Sequence, residues 1–142
     1  MTPSERLRQS GIRPSAQRVA VADYVLSTRE HPSADQVWQR VRERFPAVSR
    51  ATVYNTLHLL VERGLLKECV LTPGHVVFDP KLEPHHHLVD AESGEIHDLP
   101  WDAIRVPDVG RIADFEIDEY QVVLRGRRER GRRSRRRGTS NS

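Results

Sequence analysis

The 142-residue chain has a single cysteine, Cys69, which excludes an internal disulfide and any thiolate-rich zinc cluster within one copy. No run of about 18 apolar residues occurs, the length that marks a membrane-crossing helix. The opening MTPSERLRQSG lacks the apolar centre of a secretory signal. A cytoplasmic protein with no membrane partner is the expectation. No nucleophile or general base stands out, so neither an enzyme nor a site for a small organic substrate is expected. There is no internal repeat. The length suits two small modules with modest cores, stabilised by packing, oligomerisation or a metal held without thiols.

What the chain does have is segregated charge. Residues 1–77 carry 11 Lys and Arg against 7 Asp and Glu, a net of +4. Residues 78–124 carry 3 against 12, a net of −9, and residues 125–142 carry 9 Arg against Glu129, a net of +8. A basic half suits a polyanion such as nucleic acid, and an acidic half rich in histidine suits cations. Solvated surface charge produces the same bias and stays open as the plainer reading.

Apolar spacing predicts a helix over 15–27, with Ser15 as cap and Val19, Ala22 and Leu26 inward. A second follows over 33–45, capped by Ser33, with Ala34, Val37, Trp38, Val41 and Phe45 on one face before Pro46. A third over 49–63 turns Val53, Leu57, Leu60 and Val61 inward and stops at Gly64. LLKECVL and HVVFD then flank Thr72-Pro73-Gly74 as a hairpin. Three helices and a two-stranded wing make a winged helix-turn-helix. Its third helix is the one expected in the major groove of double-stranded operator DNA. The outward positions Arg50, Ala51, Thr52, Tyr54, Asn55 and His58, together with Arg18, are the candidate DNA contacts. Arg and Asn can read base edges, Thr a thymine methyl, and Tyr can reach phosphate. An ordinary solvated helix face remains the alternative, and His58 on that face and His75 of the wing are read as surface or phosphate-contacting residues.

After Pro80 the pattern alternates as strands do: His85 to Asp90, a Glu92-Ser93-Gly94 turn, Glu95 to Leu99, and Phe115 to Leu124. The fold class is thus α+β, with a winged helix over 1–79 and a small α/β dimerisation domain with an antiparallel sheet over 80–126. An Arg-rich tail over 127–142 lacks apolar periodicity and is expected to be disordered, either a solubilising end or an arm for DNA phosphates. WDAIRVPDVG offers barely two turns of helix, so the sheet's apolar face needs a partner, and a homodimer is the natural solution.

Three histidines stand together in EPHHHLVD. In a regular strand His85 and His87 project from one face and His86 from the other. Glu95, His97 and Asp98 lie across the next turn, Asp79 closes the wing, and His31 precedes Pro32 at a bend. Histidine and carboxylate ligands without thiolate suit Fe(II), Mn(II) or Zn(II), and open or higher-coordinate geometry favours the first two. A loop whose histidines merely solvate, or bind metal without native use, is the competing reading.

Taken in order, GIRPSAQRVAV, HPSADQVWQRV, FPAVSRATVYNTLHLLVERGLLKE, FDPKLEPHHHLVDAESGEIHDL and YQVVLRG resemble the ferric uptake regulator family of metal-dependent repressors over roughly residues 5 to 125. The resemblance implies a homodimer whose winged helices are locked in operator-binding geometry by a divalent metal between the two domains. It places the regulatory site on His31, Asp79, His85, His87 and Asp98, the pattern most like peroxide-responsive members, in which peroxide oxidises a histidine ligand. It also implies a second metal site drawing on His86, Glu95 and His97. Many members hold a structural zinc on two Cys-x-x-Cys pairs. Here those positions read Asp90-Ala91-Glu92-Ser93 and fall in LRGRRER, so a structural zinc on four cysteines is not expected. The chain is also similar to haem-sensing iron-response members, although Val70 follows Cys69 where some of those have a Cys-Pro haem motif. Haem is therefore the secondary signal, behind iron, manganese and peroxide.

Overall fold

The computed structural model describes residues 1–130. The chain divides into two compact units, Met1–Glu83 and a second beginning at Pro84, so the linker 80–83 goes with the first. The expected disordered tail falls largely on residues 131–142, which lie outside the described ones.

The first unit opens with a helix that apolar spacing does not reveal, α1 (Pro3–Gln9). Thr2 accepts from the Glu5 amide while the Glu5 carboxylate accepts from the Thr2 amide, and Pro3 occupies the first turn. Helix α2 (Ala16–Val25) is capped by Ser15. Its buried residues are Val21, Ala22 and Val25, not the predicted Val19, Ala22 and Leu26, of which the first and last are only half-buried. Apolar residues surround this helix on several sides, so periodicity does not single out one face. In α3 (Ala34–Arg42) Ser33 and Gln36 form a second reciprocal cap, Val37 and Val41 are buried, and Phe45 lies beyond the helix end. Trp38 donates its indole N–H to the Val48 carbonyl at 3.1 Å, fixing the turn into α4 (Arg50–Glu62). Ser49 caps α4, which buries Val53, Thr56, Leu57 and Leu60. Gly64 then takes a positive φ of 75°, a conformation that suits glycine at a helix end. Strands β1 (Lys67–Thr72) and β2 (His75–Asp79) pair antiparallel with Cys69 opposite Val77, completing the wing. Leu7, Val21, Val25, Val37, Val53, Leu57 and Leu60 form one core, each at most 1% exposed.

The second unit is built on β3 (His86–Asp90). Strand β4 (Ile96–Leu99) pairs with it antiparallel, as expected. The predicted strand over 115–124, however, is broken. Strands β5 (Arg111–Ile112) and β6 (Phe115–Glu116) form a minimal hairpin whose turn, Ala113 (φ 49°) and Asp114 (φ 70°), has the positive-φ form that matches strand twist. Only β7 (Val123–Gly126) reaches β3, and it does so in parallel, giving a mixed sheet ordered β4-β3-β7. A parallel pair needs a long crossover, which residues 100–122 supply. Within it the expected two-turn helix is a single 3-10 turn, Trp101–Ala103, before Pro107. No described helix is long and apolar enough to cross a membrane.

Candidate metal centre

In the first unit His31 and Asp79 come together from distant positions in the chain. Both are buried, at 4% and 2% exposure, with Nε2 of His31 3.4 Å from Oδ2 of Asp79. The Phe78 amide donates to the Pro32 carbonyl at 2.9 Å, a bond that joins the residue after His31 to the residue before Asp79. Oδ1 of Asp79 accepts from the Lys81 amide at 2.9 Å. His31 holds φ at 53°, which costs a side-chain-bearing residue about 1 kcal/mol or more and persists only where the surroundings over-determine it.

In the second unit His85 and His87 converge on one carboxylate. Each Nε2 stands 3.6 Å from Oδ1 of Asp98, and the two rings meet edge-on with centroids 4.6 Å apart. The register explains this: Asp98 lies directly opposite His87 across the β3–β4 pair, so the two side chains share a face. Both imidazoles are buried, at 5% and 1% exposure. Nδ1 of His87 is 2.9 Å from Oε1 of Gln121; donating its proton there leaves the Nε2 lone pair directed toward Asp98. A ring nitrogen oriented by an amide or carboxylate oxygen is a recurrent support for a metal-ligating histidine. Gln121 carried no signal in the sequence, because the bond spans the crossover between β4 and β7.

His86 faces the opposite way, as strand alternation requires, but the second metal site is not assembled around it. Its Nδ1 accepts from the Val122 amide at 2.9 Å and its Nε2 donates to the Trp101 carbonyl at 3.2 Å. With both nitrogens engaged, the ring has no lone pair left for a cation. It stacks on Trp101 at 4.6 Å and 14° and is wholly buried, a core histidine that pins the crossover to the sheet. Glu95 and His97 pair with each other at 3.4 Å on the exposed surface. His97 stands opposite Leu88, one same-face position along from the His86–Leu99 pair.

The α4 surface presents Ala51, Tyr54, Asn55 and His58 to solvent, as the inward stripe requires. Arg50 is exposed but braced: its guanidinium lies 3.1 Å from Asp35 and 4.1 Å over the Trp38 ring, which Arg42 also approaches at 4.6 Å. Thr52 is half-buried and takes part in the Ser49 cap. His58 pairs with Glu62 at 3.6 Å. Arg18 lies in α2 and donates to the Arg13 carbonyl at 2.9 Å.

Comparison with known proteins fits this build. The ferric uptake regulator family profile matches residues 9–125. The peroxide-responsive repressor PerR of Staphylococcus aureus strain Mu50 is 32% identical over 124 residues, covering 84% of this chain and 82% of that protein. The structure of the ferric uptake regulator from Pseudomonas aeruginosa with manganese superposes with a TM-score of 0.68 at 27% identity, covering 92% of this chain and all of that one. A structure of PerR from Streptococcus pyogenes, described as the basis of its peroxide sensing and gene regulation, gives 0.50 at 28% identity, covering 87% and 86%. Winged helix, sheet unit and relatives together define a metal-responsive transcriptional regulator. The chain belongs to the ferric uptake regulator family.

Proposed function

We propose that the chain is a dimeric repressor whose affinity for operator DNA depends on one divalent cation of the Fe(II) or Mn(II) type. His31 and Asp79 of the first unit and His85, His87 and Asp98 of the second are the residues that would hold it. The donor set fits: three imidazoles and two carboxylates without thiolate are what such borderline-hard cations take. The observation that carries the reading is the convergence of buried His85 and His87 on Asp98, with His87 oriented by Gln121, in a unit that follows a winged helix.

A bound divalent cation would supply Lewis-acid binding to these imidazoles and carboxylates, and the rest is done by the chain. Asp79 is fixed by the Lys81 amide and His87 by Gln121, so neither ligand has to be ordered when the cation arrives. A cation that prefers the DNA-competent arrangement raises DNA affinity by that preference, and DNA raises cation affinity by the same factor. Arg50, Ala51 and Asn55 are the α4 side chains offered to bases, and Tyr54 is offered to phosphate. The similarity to PerR supports peroxide as the signal, with oxidation of His31 or His85 removing a ligand.

The test uses a duplex selected in vitro with the Mn(II)-loaded protein. Its binding is measured with Fe(II), Mn(II), Zn(II), haem or chelator, before and after peroxide, with mass spectrometry of the His31 and His85 peptides. Chelation and His85→Ala are each expected to weaken binding at least about tenfold. DNA affinity indifferent to both would sink the proposal, and unaltered peptide masses after peroxide would remove the peroxide signal while leaving metal dependence intact.

A further inference from the structure

The residue before His31 is held unusually firmly for a loop. The Glu30 carboxylate accepts from the Tyr24 hydroxyl of α2 at 2.6 Å and lies 3.7 Å from the Arg40 guanidinium of α3. That guanidinium sits 4.6 Å over the Tyr24 ring. The Glu30 amide donates to the Thr28 hydroxyl at 3.1 Å, and the Thr28 amide donates to the Tyr24 carbonyl at 3.1 Å. One carboxylate therefore ties together two helices and the turn joining them, immediately before the residue with φ of 53°. On the other side of His31, the Pro32 carbonyl is held by the Phe78 amide.

We infer that Glu30, clamped by Tyr24 and Arg40, is a positioning residue that sets the metal affinity of His31. A left-handed histidine is a high-energy conformer that relaxes when its flanks are freed. The Pro32–Phe78 bond anchors one flank only, and the Glu30 clamp is the anchor on the other. Pairs this exposed contribute little to global stability. Their effect here is instead on the orientation of a ligand, where outer partners of metal ligands typically change affinity by about 10- to 100-fold. This rests on the proposal that His31 binds the regulatory cation.

The experiment is Mn(II) titration of the full chain by calorimetry, with thermal unfolding of each variant measured without metal. Glu30→Ala is expected to weaken Mn(II) binding about tenfold while the unfolding temperature stays within a few degrees of the parent. Glu30→Gln, which keeps an acceptor for the Tyr24 hydroxyl, should recover most of that loss. Tyr24→Phe, which removes only the hydroxyl, should weaken binding in the same direction by a smaller factor and serves if Glu30→Ala fails to fold. His31→Ala is the control. If it abolishes binding while Glu30→Ala and Tyr24→Phe bind like the parent, the clamp is overturned and the metal site stands. If His31→Ala itself binds Mn(II) normally, the metal reading of His31 falls and the inference falls with it.

Discussion

Residue environments give the most local tests. Burial, and then the hydrogen bond to Glu30, raise the Tyr24 phenol above its ordinary value of 10.0. An acid whose pKa is higher in the folded state stabilises the fold while it stays protonated. Its contribution is complete below the unfolded value and is lost as pH rises through the folded one, so the Tyr24–Glu30 bond is intact at neutral pH and fails only above about pH 10. Phenolate absorbance should contain a component titrating above 10.0, and Glu30→Gln should move that component back toward 10.0; a spectrum that the Glu30 replacement leaves unmoved would contradict the bonding seen here. Asp90 behaves oppositely. Amides of Glu92 and Ser93 donate to its carboxylate and lower its pKa from 3.8, with Arg128 adding to the effect. Its stabilising contribution is present above that ordinary value and declines as pH falls through the lower folded one. Acid should therefore loosen the β3–β4 turn only below pH 3.8, visible in carboxyl-detected NMR as an Asp90 resonance that shifts below that pH; a shift above it would contradict the two amide bonds.

Elements succeed or fail in the sequence according to how far apart their determinants lie. Helices α3 and α4 and the wing were legible because caps, apolar stripes and turn residues sit within one element: Ser33 with Val37 and Val41, Ser49 with Val53 and Leu57. Helix α1 was not, since seven residues with one buried apolar side chain, Leu7, make no period; its only signal is the Thr2-x-x-Glu5 cap after which it begins. The direction of β7 was illegible for a different reason, because alternation gives a strand's faces and not the neighbour it chooses. The pairing of His85 and His87 followed from strand period alone, whereas Gln121 and the engagement of His86 depend on how residues 100–122 return to the sheet. In this region Arg128 lies 4.0 Å from Asp90 and 3.7 Å from Glu95, and Arg130 3.6 Å from Glu92, contacts that charge counting along the chain does not pair. Ser49 offers the sharpest test at this scale. Its hydroxyl accepts from the Thr52 amide at 3.0 Å and donates to the Thr52 hydroxyl, and Ser49→Ala should cost about 1 kcal/mol in urea unfolding. DNA affinity should fall with it, because Arg50 and Ala51 occupy the turn that frays; unchanged affinity in the destabilised variant would move the DNA contacts away from the start of α4.

At the scale of the whole molecule the two units are unequal in what they bury. The first has a continuous apolar core, but Val89 is the only buried apolar side chain among the described residues of the second. Meanwhile Ile112, Phe115 and Leu124 of that unit are 52%, 69% and 44% exposed. A sheet of three short strands cannot remain folded on one buried valine and a few histidines, because about 25 cal/mol for each Å² of apolar surface removed from water is its main return against the ordering of its chain. Under the proposed function, a second copy of the chain covering these residues would resolve the deficit and would supply the two winged helices that a two-half-site operator requires. Replacing Phe115 and Leu124 with Asp should convert the dimer to monomer in sedimentation equilibrium and lower the melting transition of the second unit. Val70→Asp is the matched control, since Val70 is 61% exposed but lies on the wing. It should leave the sedimenting mass unchanged. A dimer that survives the Phe115 and Leu124 replacements would place the interface elsewhere on the second unit, whereas dissociation by Val70→Asp would place it on the wing and leave the wings unable to lie along one duplex.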